Sequence, residues 1–210
     1  EVESQYNFKS IFYIYSKINS GICENILDPS YNIKKNKKLI CKLNEIYSDG
    51  WKIGLHGSYF SYNNFYLLKQ EKKQLEKLLE FSITKNRQHW LNYDESLTPK
   101  FHQKLFEVDS TLGWNDRIGF RALVASKYRP YNHEENKPFN YYIIPQVIMD
   151  SNIYDYGFGK EKKCIQKSID LIEVCKNLKN TEFSISWHNR TSSHDYNWSK
   201  SYIQLMNSYN

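Results

Sequence analysis

The chain has 210 residues, of which 40% are hydrophobic and 16% aromatic, and its 29 Lys and Arg against 23 Asp and Glu give a net charge of +6. The aromatic content excludes intrinsic disorder, and only 8 Gly and 5 Pro exclude collagen-like or low-complexity sequence. There is no apolar run long enough to span a membrane. A chain of this length favours one domain, which we expect over residues 1–210.

Apolar patterns predict strands alternating with helices along the chain. Continuous or alternating apolar runs predict strands, and apolar residues three or four apart predict helices. The predicted strands are Phe8–Ile14, Trp51–Leu55, Gln88–Leu91, Glu107–Asp109, Gly119–Ala125, Tyr141–Met149 and Phe183–Trp187. The predicted helices are Asn32–Ser48, Asn64–Ile83, one that begins at Thr98 with Pro99, Lys160–Leu178 and Trp198–Tyr209. This alternation predicts an α/β architecture, layered or barrel-like, with parallel strands.

The positive charge is weak evidence for a nucleic-acid partner. Lys and Asn are abundant and Ala is scarce, a profile typical of an AT-rich genome. The nearest basic cluster opens a predicted helix and is expected to be solvated: Lys34, Lys35, Lys37 and Lys38. A nucleic-acid binder that uses Tyr side chains as stacking platforms is therefore a minor hypothesis, and we expect no nucleic-acid partner.

Cysteine usage indicates a reducing compartment. The four cysteines show no CxxC spacing, and Cys41 and Cys175 fall on the apolar side of predicted helices. We therefore expect buried free thiols rather than disulfides or zinc ligands. The expected location is the bacterial cytoplasm, without a signal peptide. Because the chain opens on Glu1 rather than Met, we also expect sequence upstream of residue 1.

Three of the six histidines lie at the ends of predicted strands: His56, His89 and His188. In α/β folds the loops at the carboxyl ends of strands converge on one face, so we expect these three to share a site. Histidines with a carboxylate favour a divalent-metal site, and a further histidine suits general acid catalysis. The remaining histidines are expected to be solvated: His102, His133 and His194.

Polar residues accompany these histidines. Arg87 and His89 are two apart on a predicted strand, so their side chains are expected to project to the same face. Asp109 ends the next predicted strand. The small residues Gly57 and Ser58 would let the backbone approach a ligand after the first histidine of the site.

Five segments follow one another along the chain in this order: IGLHGSY, RQHWL, VDSTLGW, IGFR and SWHN. Taken together, they resemble the polysaccharide deacetylase family (the NodB-homology carbohydrate esterases), and more narrowly its branch in surface-polysaccharide gene clusters. The resemblance runs from about Asn7 to the final helix. It implies a distorted (β/α) barrel. The family's first motif, of the Asp-Xaa-Asp type, would precede FKSIFYI, but residues 1–7 contain only Glu1 and Glu3 as acids. We therefore expect the barrel to lack its first strand and motif in this chain.

The resemblance implies a role for each matched residue. His56 matches the first metal-binding histidine of the second motif. Arg87 matches the arginine that holds the catalytic carboxylate, and Asp109 lies where an acid helps to orient the catalytic histidine. His188 matches the general acid that protonates the leaving amine.

Two departures accompany these matches. The family's second metal-binding histidine, four residues after the first, is replaced by Phe60, and we expect His89 to supply that ligand. The general base is expected upstream of residue 1.

The resemblance also implies a cofactor and a set of substrate contacts. The implied cofactor is a divalent metal, expected to be zinc. The residues expected to bind the carbohydrate are Tyr59, Trp114, Arg121 and Trp187.

These observations predict a metal-dependent hydrolase that removes an N-acetyl group from a sugar or a surface-polysaccharide precursor. The alternative is a catalytically inactive relative that binds carbohydrate or acts as a scaffold, having lost the base and the metal. A different C–N hydrolase on the same barrel is a further enzyme alternative.

Overall fold

The structure is a computed structural model that describes residues 2–6, 8–18, 21–193, 195–196 and 198–209. Its α-helices are α1 (Val2–Gln5), α2 (Ile22–Leu27), α3 (Lys37–Ser48), α4 (Phe65–Leu79), α5 (Thr98–Leu105), α6 (Asp150–Tyr154), α7 (Glu161–Lys176) and α8 (Ser199–Tyr209). Its strands are β1 (Ile11–Tyr15), β2 (Lys52–Gly57), β3 (Lys85–Gln88), β4 (Val108–Asp109), β5 (Tyr131–Asn132), β6 (Lys137–Pro138), β7 (Tyr142–Ile143), β8 (Gln146–Met149) and β9 (Ser184–Ser186). None of these helices is both long enough and apolar enough to cross a membrane.

The chain divides into two compact units. We call residues Lys9–Thr111 and Tyr128–Ile143 the sheet unit. Residues Glu1–Phe8, Leu112–Lys127 and Ile144–Asn210 are called the strand-pair unit. The candidate functional residues fall in both, and each unit is described by itself.

A five-stranded parallel sheet forms the centre of the sheet unit. Its strand order is β1-β2-β3-β4-β7, and every neighbouring pair is parallel. Helix α4 places Leu68, Leu75 and Leu79 at helical spacing, and all three pack into the core with Leu55 of β2. The parallel sheet predicted from the alternation of elements is confirmed. The other described strands form two-stranded sheets, β5 with β6 and β8 with β9.

Helix α4 begins at a side-chain cap. Asn64 Oδ1 accepts a hydrogen bond from the backbone N–H of Leu67 at 3.1 Å, which satisfies one of the donors left open in the first turn. Replacing Asn64 with Ala is expected to lower the free energy of unfolding by about 1 kcal/mol, measured by urea denaturation. Asn64→Asp keeps an oxygen acceptor and is expected to retain the stability. An equal loss in both variants would contradict this role for the cap.

The strand-pair unit is built on the parallel strands β8 and β9, with Met149 opposite Ser186. Helices α6, α7 and α8 contribute to a second apolar core, which includes Ile148 of β8, Ile172 of α7 and Leu205 of α8. These three side chains are fully buried. The carboxyl ends of the two strands therefore lie side by side, and the strands pack on this apolar core.

The strand predictions for Gly119–Ala125 and Tyr141–Met149 are wrong. Residues 119–125 form no strand, because Gly119 and Leu123 have φ angles of 138° and 55°, which an extended strand does not allow. The predicted strand Tyr141–Met149 is two strands, β7 and β8, which belong to different units. Pro145 lies between them, and its missing N–H and fixed φ interrupt a sheet ladder.

All four cysteines are free thiols. Cys175 is buried as expected, and burial raises the pKa of its thiol. The expected burial of Cys41 is wrong, since its side chain is exposed on α3 while Leu43 is the buried residue of that helix.

Candidate functional site

Two histidine rings lie side by side at the carboxyl edge of the sheet. His56 is in β2, and His89 directly follows β3. Their ring centroids are 4.9 Å apart and the ring planes meet at 73°. Because β2 and β3 are neighbouring parallel strands, their carboxyl ends meet at the same edge of the sheet. The structure thus brings together the two residues that the sequence assigned to a metal.

The path of the chain after β3 differs from the prediction. The predicted strand Gln88–Leu91 is displaced, since β3 ends at Gln88 and His89–Leu91 forms a 3₁₀ turn. His89 therefore lies outside the strand that contains Arg87, and the prediction that both side chains project to one face of a strand is wrong. Trp90 and Leu91 have left-handed φ angles of 55° and 53°, which end the strand. Such backbone strain in non-glycine residues is concentrated at functional sites.

Each of the two rings has its Nδ1 against an oxygen acceptor. His56 Nδ1 lies 2.9 Å from the backbone oxygen of Arg87, and His89 Nδ1 lies 2.8 Å from Oδ1 of Asp28. Because a carbonyl or carboxylate oxygen accepts, Nδ1 of each ring is the donor, and Nε2 of the neutral imidazole carries the lone pair. Metal-ligating histidines are held in this way by their second nitrogen.

This donor set fits part of a divalent-metal site. Neutral imidazole nitrogens are common ligands of zinc and of other divalent transition metals. Within the described ranges, no group of three or more His, Cys, Asp or Glu side chains is placed to hold a metal ion. Two imidazoles would supply two ligands, fewer than the three protein ligands of a typical catalytic zinc site.

Arg87 is buried within the sheet unit. Its guanidinium lies 4.5 Å from the centre of the Tyr13 ring, and its Nε donates to the backbone oxygen and to Oγ of Ser110, each at 3.2 Å. Burial lowers the pKa of Arg87 and raises the pKa of Tyr13. The role expected for Arg87, holding a catalytic carboxylate, stays a prediction.

Asp109 is buried in a network of its own. Its Oδ1 accepts from Asn86 Nδ2 at 3.1 Å and from Thr111 Oγ1 at 2.6 Å, and its Oδ2 accepts from the backbone N–H of Thr111 at 3.0 Å. His102 Nδ1 lies 3.5 Å from the same carboxylate. The side-chain contacts of Asp109 thus stabilise the end of β4.

The remaining histidines differ in their environments. The prediction that His102 is solvated is wrong, since it is fully buried on α5 and burial lowers its pKa. Nε2 of this ring lies 3.3 Å from the side-chain amides of Asn86 and Gln88. His133 is exposed, as predicted. His194 lies outside the described residues.

In the strand-pair unit a buried aspartate holds His188. Asp150 directly follows β8 and His188 lies two residues after β9, so the parallel pairing brings them together. His188 Nδ1 lies 2.7 Å from Oδ1 of Asp150, and the backbone N–H of His188 donates to Oδ2 at 2.9 Å. The carboxylate that orients His188 is therefore Asp150, and the assignment of this role to Asp109 is wrong.

The charge of Asp150 is stabilised by its partners. Burial alone would raise the pKa of this carboxyl, but hydrogen bonds from His188 and from Thr191 Oγ1, at 2.8 Å, outweigh that effect and hold the pKa below its usual value. The Asp150 side chain is fully buried, whereas that of His188 is 54% exposed. In such a pair the carboxylate fixes the tautomer of the imidazole and stabilises its protonated form.

Of the residues expected to bind carbohydrate, Tyr59 lies in the sheet unit. Its ring packs edge-on against Trp90 and Phe60, with centroid distances of 6.2 and 5.1 Å. Trp90 is 50% exposed, and its ring centroid lies 6.3 Å from that of His89. An exposed aromatic surface therefore adjoins the histidine pair.

The other three residues expected to bind carbohydrate lie in the strand-pair unit. The guanidinium of Arg121 lies 5.7 Å from the centre of the Trp114 ring, so these two are in contact. Trp187 packs against Tyr202, with centroids 5.3 Å apart, as part of the apolar core. Their role in binding carbohydrate stays a prediction.

Sequence reasoning missed three residues of these clusters. Asp150 directly follows a buried strand, so the strand-end argument applied to the histidines could have found it. Trp90 adjoins His89 in sequence and could have been included with it. Asp28 lies 61 residues before its histidine partner, in a segment without a periodic pattern, and no sequence signal marks it.

Comparison with solved structures shows similarity to proteins assigned as polysaccharide deacetylases. One from Mycobacterium smegmatis has a TM-score of 0.65 and 14% identity over 98% of this chain and 67% of its own. One from Pseudomonas aeruginosa has a TM-score of 0.52 and 15% identity over 82% of this chain and 57% of its own. An allantoinase has a TM-score of 0.56 and 14% identity, again over 82% of this chain and 57% of its own.

These likenesses concern the fold. No family model matches the chain, and no curated protein matches its sequence. The chain spans between 57% and 67% of the length of the three similar structures. The expected resemblance to polysaccharide deacetylases and the α/β fold class are confirmed at the level of the fold, which is deacetylase-like.

Proposed function

We propose that this protein is a metal-dependent hydrolase that removes the acetyl group from an N-acetylated sugar or a surface-polysaccharide precursor. The observation that carries the proposal is the pair His56 and His89, whose rings lie 4.9 Å apart with each Nδ1 against an oxygen acceptor. The deacetylase-like fold supports the same reading, because the motifs that carry these histidines are the ones that resemble the family.

In this proposal, His56 and His89 hold a divalent metal, with zinc as the first choice, through Nε2. A divalent metal supplies Lewis-acid polarisation of a carbonyl and lowers the pKa of water when it is bound. The backbone oxygen of Arg87 and the carboxylate of Asp28 fix the two rings, so that little ordering is needed when the metal binds.

His188 acts as the general acid of the reaction. When the amide C–N bond breaks, the leaving nitrogen needs a proton, because an unprotonated amide nitrogen is a poor leaving group. Asp150 holds Nδ1 of the ring at 2.7 Å, so Nε2 is the nitrogen that transfers the proton. The buried carboxylate also stabilises the protonated ring before the transfer.

The exposed ring of Trp90 and its neighbour Tyr59 are proposed to pack against the substrate. Aromatic faces offer a large, rigid apolar surface, and the C–H groups of a sugar ring are apolar on one face. The indole Nε1 of Trp90 donates to the backbone oxygen of Leu27 at 3.2 Å, which fixes the orientation of the ring.

Acetate release tests this function. The intact protein is incubated with N-acetylglucosamine oligomers and with N-acetylated surface polysaccharide, and free acetate is measured before and after treatment with a chelator. We expect release that stops on chelation and returns when zinc is added. Release that persists in the chelator would contradict metal dependence. Binding of the saccharides without release of acetate would instead support the inactive carbohydrate-binding alternative.

A further inference from the structure

We propose that Asp28 is a positioning residue that fixes the ring and the tautomer of His89 for metal binding. This inference rests on the proposed function, in which His89 is a metal ligand. Asp28 terminates α2, and the resemblance assigned no role to it. Its importance follows from its contacts, its burial and its charge.

Asp28 forms hydrogen bonds with both segments that follow the histidine-bearing strands, the loop after β2 and the turn after β3. Its Oδ1 accepts from Nδ1 of His89 and from the backbone N–H of Tyr59, each at 2.8 Å. Tyr59 lies three residues after His56, so one oxygen atom is shared by the loop after β2 and the turn after β3.

The residue before Asp28 strengthens the same link. The backbone oxygen of Leu27 accepts from Nε1 of Trp90 at 3.2 Å. Two consecutive residues at the end of α2 therefore hold two consecutive residues of the 3₁₀ turn, His89 and Trp90. This double attachment restrains a turn whose backbone at Trp90 is in the strained left-handed region.

The burial of Asp28 points to a cation at His89. The carboxylate is fully buried, and its Oδ2 has no hydrogen-bond partner in the part of the chain that the structure describes. A buried carboxylate oxygen without a donor carries a large desolvation cost. A divalent cation on Nε2 of His89 would supply the positive charge that offsets this cost, so Asp28 and the metal would stabilise each other.

The Asp28 carboxylate also determines which nitrogen of the His89 ring carries the proton. By accepting the Nδ1 proton it leaves the lone pair on Nε2 and makes that nitrogen a stronger donor. Loss of such a partner typically weakens metal binding about 10- to 100-fold. We therefore expect Asp28→Asn to weaken zinc binding by about 10-fold, since the amide oxygen still accepts but lacks the charge, and Asp28→Ala by up to about 100-fold.

Zinc titration of the intact protein by calorimetry measures this effect. Asp94→Asn is the matched control, because Asp94 lies in the same loop after His89 and, among the described residues, its Oδ1 accepts from the local backbone N–H groups of Ser96 and Leu97. We expect its zinc affinity to equal that of the wild type. Asp28→Asn retains an acceptor for Tyr59, so it keeps the test informative if Asp28→Ala does not fold.

A second readout does not depend on zinc. In the metal-free protein, ¹⁵N NMR of the imidazole nitrogens reports which one carries the proton. We expect His89 to be protonated on Nδ1 in the wild type, and Asp28→Ala to shift the tautomer towards Nε2. A change confined to packing would not move the proton from one nitrogen to the other.

The outcomes separate this inference from the proposed function. If the wild type binds zinc and both Asp28 variants bind it equally well, or if the tautomer of His89 is the same in all of them, the role of Asp28 is overturned while metal-dependent hydrolysis stands. If the wild type binds no zinc, the metal-dependent function fails and the role of Asp28 towards a metal fails with it.

Discussion

Replacing His188 with Gln is expected to lower kcat/KM for acetate release about 10²- to 10⁴-fold, the usual contribution of a general acid. The amide N–H groups of Gln are far too weakly acidic to protonate the leaving nitrogen, although the side chain fills a similar volume. The side chain of His188 is 54% exposed, so the change creates no cavity in the core. Initial rates at several substrate concentrations, with the active saccharide from the chelation assay, measure the effect.

His133→Gln is the control for this prediction. His133 is exposed in the loop between β5 and β6, and it belongs to neither histidine cluster. We expect this variant to retain the wild-type rate and His188→Gln to retain the wild-type zinc affinity. A His188→Gln enzyme as active as His133→Gln would contradict the assignment of the general acid.

Glu71→Gln is expected to remove a large loss of stability that occurs as the pH rises from 4.5 to about 8. Glu71 lies on α4 with 1% exposure, and its Oε2 accepts from the backbone N–H of Ser58 at 3.2 Å. Burial raises the pKa of this carboxyl from 4.5 to about 8, and the charge of Asp28 adds to the shift. The group is therefore protonated at neutral pH in the folded protein, while the unfolded chain releases the proton near pH 4.5.

The direction of this pH dependence follows from the difference between the folded-state and unfolded-state pKa of Glu71. Because the folded-state pKa is the higher one, the stability that depends on protonated Glu71 is fully present below pH 4.5 and is lost as the pH rises towards about 8. The loss is at most roughly 5 kcal/mol at about 1.4 kcal/mol per pKa unit. The side chain introduced by Glu71→Gln is neutral at every pH, so we expect the free energy of unfolding of this variant to lack the decline.

Urea denaturation between pH 4 and pH 9 tests the Glu71 prediction. Glu45→Gln is the control, since the side chain of Glu45 on α3 is 60% exposed and pairs with Lys42 at the surface. We expect the control to follow the pH profile of the wild type. Parallel profiles for wild type and Glu71→Gln across this range would show that Glu71 is already ionised in the folded protein.

The sequence predicted much of the fold because its apolar patterns are local. Helix α4 and strand β2 show clear periodicity or continuous apolar runs, and both appear within a few residues of the predicted bounds. The errors have local causes as well. Pro145 divides one predicted strand, and the left-handed backbone at Leu123 replaces another.

Residues of both histidine clusters were predictable where they lie at strand ends. His56 and His89 of the sheet unit and His188 of the strand-pair unit were found in this way, together with the resemblance of their motifs. The partner of His188 was misassigned because the resemblance pointed to Asp109, whereas the pairing of β8 with β9 brings Asp150 to that ring. Which of two strand-end aspartates meets a histidine depends on which strands pair, and local sequence patterns do not show that pairing.

The contact between Asp28 and His89 shows a stronger limit of prediction from the sequence. Its link to His89 joins residues 61 apart, and it depends on the path of the chain after α2 rather than on any periodic pattern. Contacts of this kind come from tertiary packing alone. The tautomers of the two histidines, which decide whether they suit a metal, are set by just such contacts.

The central claim is that His56 and His89 bind a metal through Nε2, and crystals of the intact protein grown with zinc test it most directly. Anomalous diffraction at the zinc absorption edge would locate the ion. We expect a single strong peak about 2.0–2.1 Å from Nε2 of both histidines, the usual zinc–imidazole distance. Crystals that diffract well but show no zinc at these two rings, or zinc bonded to Nδ1 of either one, would contradict it.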